Sequence, residues 1–155
     1  MSGKEYTTEL LKLEDAQIER MEKAEEEIIL QISLKRKMHT CPRCKAKTDQ
    51  VHDYRIRTVR DLSIRGKPLT LLYRRRRYFC PSCGKSFSET CAFLGKYQRF
   101  TYQVIDRIMQ LLHRRWSMKD IAKDTHTSVS GVSRCLALYP QGKPSALPRV
   151  LSFDE

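Results

Sequence analysis

The fold turns on the reading of "RIRTVRDLSIRGKPLTLLYRRRRYFCPSCG", residues 55–84. Before the glycine, RIRTV alternates, and after it LTLLYRRRRYF alternates again, with the Gly and Pro of IRGKP between them. Two alternating runs about such a turn predict a β-hairpin over residues 51–79. On a strand, successive side chains leave on opposite faces, so Arg74 and Arg76 go one way and Arg75 and Arg77 the other. Arg55, Arg57, Arg60, Arg65 and Lys67 come from the partner strand and turn. The result is a basic ribbon able to lie along phosphates, with Tyr73, Tyr78 and Phe79 interleaved. An edge strand kept soluble by its charge is the purely structural alternative.

The hairpin fills the gap of 35 residues between two CxxC pairs, Cys41-Pro42-Arg43-Cys44 and Cys80-Pro81-Ser82-Cys83. Each pair can clamp one side of a tetrahedral ion from a tight turn whose backbone N–H groups donate to the sulfurs, and two such turns close the tetrahedron. Gly84 follows the second pair, where a positive φ is easy, and Lys45 takes the matching place after the first. A closed four-thiolate site leaves no position for chemistry, so the expected cofactor is structural Zn²⁺, with iron as the other metal suited to four thiolates. Disulfides are disfavoured because the N-terminus MSGKEYTTEL lacks the apolar region of an export signal. Cys91 and Cys135 fall outside the spacing and read as small buried hydrophobes. His39, His52 and His113 have no second ligand at metal spacing and are assigned to surface or turn positions.

Charge reinforces the ribbon. Residues 39–100 hold 15 basic and 4 acidic residues, so this stretch carries +11 of the chain's formal +12. Such concentration is the footprint of a polyanion partner, most often nucleic acid. With 40% hydrophobic residues and no apolar run near the roughly 20 residues that span a bilayer, a cytoplasmic location without a membrane partner is expected.

On either side of this basic middle the pattern changes. Residues 1–38 form an N-terminal α/β segment in which Ile28, Leu30, Ile32 and Leu34 alternate; a helical turn at 8–13 and strands at 17–21 and 27–36 are expected. Past the zinc module at 39–93, Val104, Ile105, Ile108, Leu111 and Leu112 recur at helical spacing, with Thr101 placed to cap the helix. Ser117 can cap a second helix to about 124, and Ser128 a third to about 138. The spacing of the last two is that of a helix-turn-helix within 100–139. Val132 and Leu136 would anchor the third helix, Trp116 would plug the core, and His126 stands where the turn usually has Gly. The exposed face offered by Ser128, Ser130, Gly131, Ser133 and Arg134 suits close approach to a major groove. A structural three-helix bundle is the alternative. "QGKPSALP" at 141–148 reads as part of a linker over 140–149, and "VLSFDE" at 150–155 as a strand that ends in acids. The expected class is α+β and multi-module, a small zinc-ribbon-like β module followed by a three-helix bundle.

This order of parts, with its CPRC, RDLSIRGKPLTLLYRRRRYFC, CPSCGKSF and terminal LPRVLSFDE, resembles the N-terminal half of insertion-sequence transposases of the ISL-three family, over nearly the whole chain. The resemblance implies a zinc finger and helix-turn-helix that bind double-stranded DNA at the element's terminal inverted repeats. It also implies a following RNase H-like catalytic domain whose first strand, 150–155 here, ends in the first of three acids that hold two Mg²⁺; Asp154 matches that acid. Two-metal phosphoryl transfer needs carboxylates from several places in a sheet, so one Asp is inactive alone. Glu155 points to the opposite face of the strand and does not substitute. The expectation is therefore a truncated chain that is no enzyme, nucleoid-associated, and able to form homo-oligomers or mixed oligomers with intact transposase. A stand-alone zinc-containing helix-turn-helix regulator or nucleic-acid adaptor is the competing function. Within the transposase reading, Arg55, Arg57, Lys67, Arg74, Arg75, Arg76 and Arg77 are expected to meet phosphates, and Ser128, Ser130, Ser133 and Arg134 to meet the groove.

Overall fold

The structure is a computed structural model that describes residues 9, 11–13 and 15–138. The expected linker at 140–149, the strand at 150–155 and Asp154 lie outside the described residues, as do residues 8 and 10 of the helical turn expected at 8–13.

The two expected N-terminal strands are β1 (Ala16–Lys23) and β2 (Ile28–Leu34). Short strands β3 (His39–Thr40) and β4 (Lys47–Thr48) flank the first CxxC turn, and β5 (Val51–Ile64) and β6 (Lys67–Phe79) are the long hairpin. Then come β7 (Ser86–Ser88) and the helices α1 (Tyr102–His113), α2 (Met118–Asp124) and α3 (Val129–Leu138). Arg65 and Gly66, at φ of 51° and 78°, make the hairpin turn between the paired Ile64 and Lys67. Positive φ at both central residues gives a two-residue turn the twist of its strands.

The N-terminal segment and the hairpin share one sheet: strand order is β1-β2-β6-β5, with β7 pairing β6 beyond the end of β2. The β2–β6 pairing is parallel, setting Ile28, Leu30 and Ile32 beside Leu69, Leu71 and Tyr73. All six are buried and share one core with Val59, Leu13, Phe93 and Leu94. The apolar alternation of β2 is legible because only one of its faces meets this core.

The helices build a second core from Val104, Ile105, Ile108, Leu111, Ile121, Ala122, Val132 and Cys135. Ser117 caps α2 by accepting from the Asp120 N–H at 3.2 Å, and Ser128 caps α3 by accepting from the Gly131 N–H at 3.1 Å. His126 takes a φ of 50° in the turn between them. Three expectations need correcting. Thr101 sits at the start of α1 but its hydroxyl donates to Asp61 at 2.6 Å instead of capping the helix. Trp116 is 45% exposed and plugs no core, because the chain has turned outward at Arg115, whose φ is 61°. Leu136 is half-buried, and Cys135 holds the interior place beside Val132.

β5 joins the two cores. The Arg60 N–H donates to Arg99 O at 2.8 Å, and the Thr101 N–H to Arg60 O at 3.1 Å. With the Thr101 hydroxyl on Asp61, these bonds carry α1 directly on β5. Beside them Phe100 lies against Gly131 of α3, where an added Cβ would come within 2.9 Å of the ring, so Gly131 is buried at this contact and not on the exposed face expected of it.

Candidate metal centre and nucleic-acid interface

The two CxxC turns are built alike. Lys45 N donates to Cys41 O at 3.0 Å and Gly84 N to Cys80 O at 2.9 Å, while Cys41 N and Cys80 N donate to Ala46 O and Lys85 O. Both turns then need positive φ at the same place, met by Lys45 at 63° and Gly84 at 68°. Phe79 N donates to Gln50 O at 2.9 Å and the Thr48 hydroxyl to Phe79 O at 2.8 Å, which closes one turn on the other. The ligand sulfurs of Cys41, Cys44, Cys80 and Cys83 consequently lie within 4.8 Å of one another, with Cys41–Cys83 at 3.6 Å and Cys44–Cys80 at 3.4 Å. Four thiolates at about 2.3 Å from Zn²⁺ stand roughly 3.8 Å apart, so the cluster fits a tetrahedral structural zinc. Such an ion would supply no chemistry and would lock both ends of the hairpin. Cys91 is half-buried against the sheet core and Cys135 is buried, away from this cluster.

The hairpin arginines divide between two roles. On β6, Arg76 is turned inward: its guanidinium meets the fully buried Glu89 at 3.4 Å and Leu34 O at 2.7 Å, with its own side chain only 12% exposed. Glu89 also accepts from the Arg76 N–H and the Tyr73 hydroxyl, both at 2.9 Å. Burial, with this carboxylate alongside, pushes the Tyr73 phenol up and keeps it a donor. Arg76 is therefore a structural ion-pair partner, which corrects its assignment to phosphate contact. Arg74 leaves on the same side of β6 and stacks over Tyr54 at 4.0 Å. Lys67, at the turn, donates to Ala24 O and Glu25 O.

The register sets Arg55 beside Arg75 and Asp53 beside Arg77, so these three arginines share the other face with Arg57. There they border a groove of about 1010 Å³ that runs from the hairpin to the start of α3. Arg60 and Arg99 line it from the junction, and Ser128 and Arg134 from α3. Seven arginines and no acidic residue line this one groove. Ser130 and Ser133 are exposed on α3 outside it. Arg99, Tyr97 and Thr127 belong to the lining without having been singled out, and His126 had been read only as a turn residue; the run GKYQRF at 95–100, basic and aromatic together, was the available signal. Glu89 was missed too, although it is the one acid between Asp61 and Asp106.

Several groups hold the groove in shape. Arg75 donates twice to Glu89 O, at 2.9 and 2.7 Å, and Arg77 meets Asp53 at 3.1 Å. Arg60 pairs with Glu27 at 3.0 Å, and the Thr70 hydroxyl donates to the same carboxylate, which its hydrogen bond and Arg60 hold below the usual range. Asp61 is the opposite case. Burial raises its pKa against the pull of the Thr101 hydroxyl and the Leu62 N–H, and its Oδ2 has no partner among the described residues. No helix among the described residues is long and apolar enough to cross a membrane.

Comparison with known proteins agrees with the metal site. Residues 37–83 match the family described as the zinc-finger of transposase IS204/IS1001/IS1096/IS1165. A stretch of 76 residues is 41% identical to the transposase for insertion sequence element IS1001 of Bordetella parapertussis; it makes up 49% of this chain and 19% of that relative. No solved structure matches the chain.

Proposed function

We propose, from the premise that this chain is related to insertion-sequence transposases and carries their zinc ribbon, that it recognises the terminal inverted repeats of an insertion sequence as double-stranded DNA. The observation that carries the reading is the groove free of acids, with seven arginines shared between the hairpin and the start of α3. In this reading α2 and α3 act as a helix-turn-helix. α3 enters the major groove with Ser128 and Arg134, whose guanidinium suits the acceptor edge of guanine. Arg55, Arg57, Arg75, Arg77 and Arg99 neutralise phosphates alongside and fix the register without reading sequence. Ser130 and Ser133, on the same helix, approach the duplex beyond the groove. Zinc holds the CxxC turns, and with them the two ends of the hairpin that carries four of these arginines.

Cutting and joining belong to carboxylates and Mg²⁺ elsewhere in an intact transposase. Asp154 would be the first of those acids, and its metals would generate the attacking oxygen and stabilise the leaving one. Inverted repeats present the same sequence at two ends, so the working complex would contain at least two chains, pairing as homo-oligomers or with intact transposase on the nucleoid.

The test is enrichment of bound fragments from a random DNA library by zinc-loaded protein at near-physiological salt. The expected product is a motif found as inverted copies at both ends of one mobile element. A motif confined to promoters would replace this reading with a transcription regulator. Binding without a preferred sequence would remove α3 from sequence recognition.

A further inference from the structure

Tyr97 is 83% exposed, and its φ is 66°, a left-handed backbone that L side chains avoid. Bulky residues held this way persist only where their surroundings over-determine them, and they gather at ligand contacts. The surroundings here do so. Gly95 N donates to the Gln98 side-chain oxygen at 3.1 Å, and Gln98 N donates back to Gly95 O at 3.3 Å. The Arg57 guanidinium donates to Gln98 O, and the neighbouring Arg99 O is bound by Arg60 N on β5. The loop is thus pinned on both sides of a ring that packs into neither core.

Its place is as telling as its strain. Tyr97 lines the arginine groove and also a second groove of about 660 Å³, so the exposed ring stands on the boundary that the two share. Arg57 and Arg75 border both; Lys85 and Lys96 add cations to the second, which no acid lines. Lys96 Nζ stands 5.1 Å from the ring centroid. Two cation-lined troughs with an aromatic ring on their shared boundary match a duplex whose two phosphate backbones run in the troughs.

We propose that Tyr97 enters the duplex between the two backbones and stacks on a base that it unstacks. This rests on the reading of the chain as a binder of duplex DNA. An exposed ring on a rigid loop loses little freedom on stacking, and every base offers a face, so the contact adds affinity with little sequence preference.

The experiment titrates the zinc-loaded 155-residue chain into short mixed-sequence duplexes carrying single 2-aminopurine substitutions, following anisotropy and 2-aminopurine fluorescence across a salt series. Wild type is expected to raise the fluorescence as the base leaves its stack. Tyr97→Ala is expected to abolish that rise and to weaken binding by at most roughly 5- to 150-fold, the range of one base–aromatic stack before the cost of unstacking the step is subtracted. Its salt slope stays at the wild-type value, since an uncharged ring displaces no counterion. Tyr97→Phe keeps both signals. Tyr97→Gly suits the backbone and should match or exceed the wild-type melting temperature while binding as weakly as Tyr97→Ala, which separates stacking from folding. Wild-type affinity and an undiminished fluorescence rise in Tyr97→Ala would overturn the proposal, as would binding by wild type with no rise at any position. Failure of wild type to bind any duplex would overturn the DNA reading beneath it, and anisotropy alone detects that.

Discussion

If the groove between the hairpin and α3 is where DNA lies, removing charge inside it and removing charge behind it must have different effects. Arg55 and Arg99 are the clean pair to test. Arg55 is 68% exposed with its nearest acid, Asp53, at 4.0 Å; Arg99 is exposed, and both line the groove. Each phosphate contact contributes about 0.9 to the slope of log affinity against log salt, so Arg55→Ala with Arg99→Ala should flatten the slope by about 1.8. Between about 0.2 M and 0.05 M salt, the affinity ratio of wild type to variant should then widen about 12-fold. Arg74→Ala is the control: it removes the same charge from the opposite face, where Arg74 covers Tyr54. Its slope should stay within error of wild type. Fluorescence anisotropy at four or five salt concentrations measures all three proteins. Equal flattening per arginine at both places would show that affinity follows total charge, and the groove would lose its assignment.

Four further outcomes concern the scaffold. Cys41→Ser or Cys80→Ser should lose bound zinc and the folded hairpin end together; native mass spectrometry that still shows one zinc per chain would refute the four-sulfur site. Gly84→Ala should lower stability by about 1 kcal/mol and Lys45→Gly should raise it by a few tenths or more in thermal melts, because both positions are left-handed; Gly84 has no atom within 4 Å of an added Cβ, so opposite signs cannot come from packing, and like signs would contradict the twin-turn geometry. Glu89→Ala should cost about 3–5 kcal/mol in denaturant unfolding by leaving Arg76 buried and unpaired, whereas a loss under about 1 kcal/mol, the value of an exposed pair, would show that water reaches the pair. Asp61 binds its proton more tightly folded than unfolded, so its share of stability is full below the ordinary value of 3.8 and falls as pH rises through the raised one; Asp61→Asn should remove that decline, and an unchanged profile would place it elsewhere.

The metal site was legible because its determinants are local. Each CxxC turn closes within six consecutive residues, and the positive φ after each pair was readable in Gly84 and by analogy in Lys45. Hairpin, helices and the caps Ser117 and Ser128 were equally local, resting on alternation, helical spacing and a hydroxyl at the right offset. What could not be read was set by distant partners. β2 pairs with β6 in parallel across some forty residues, a link that alternation alone cannot announce. Arg76 looked like its three neighbours, and only the acid opposite it, Glu89, turned it inward. Thr101 has the residue type of a cap, but Asp61 competes for its hydroxyl and wins at 2.6 Å. The place of Tyr97 was hidden for the same reason, since the loop that carries it is held by Arg57 and Arg60 on another strand.

The parallel pairing of β2 with β6 also orders events during synthesis. β1 and β2 can form their hairpin as soon as they emerge, yet the free edge of β2 has no partner until residues 69–73 leave the ribosome, and Phe93 and Leu94, which share the core of Ile28, Leu30 and Ile32, follow later. At about 5–20 residues per second that wait lasts a few seconds, with an apolar strand edge open to any other unpaired strand. Zinc can help only after Cys80 and Cys83 have appeared, later still. The chain therefore passes its most vulnerable moment before its metal can act. Misfolding of this protein in a cell should depend on how fast residues 35–75 are translated more than on how much zinc is present.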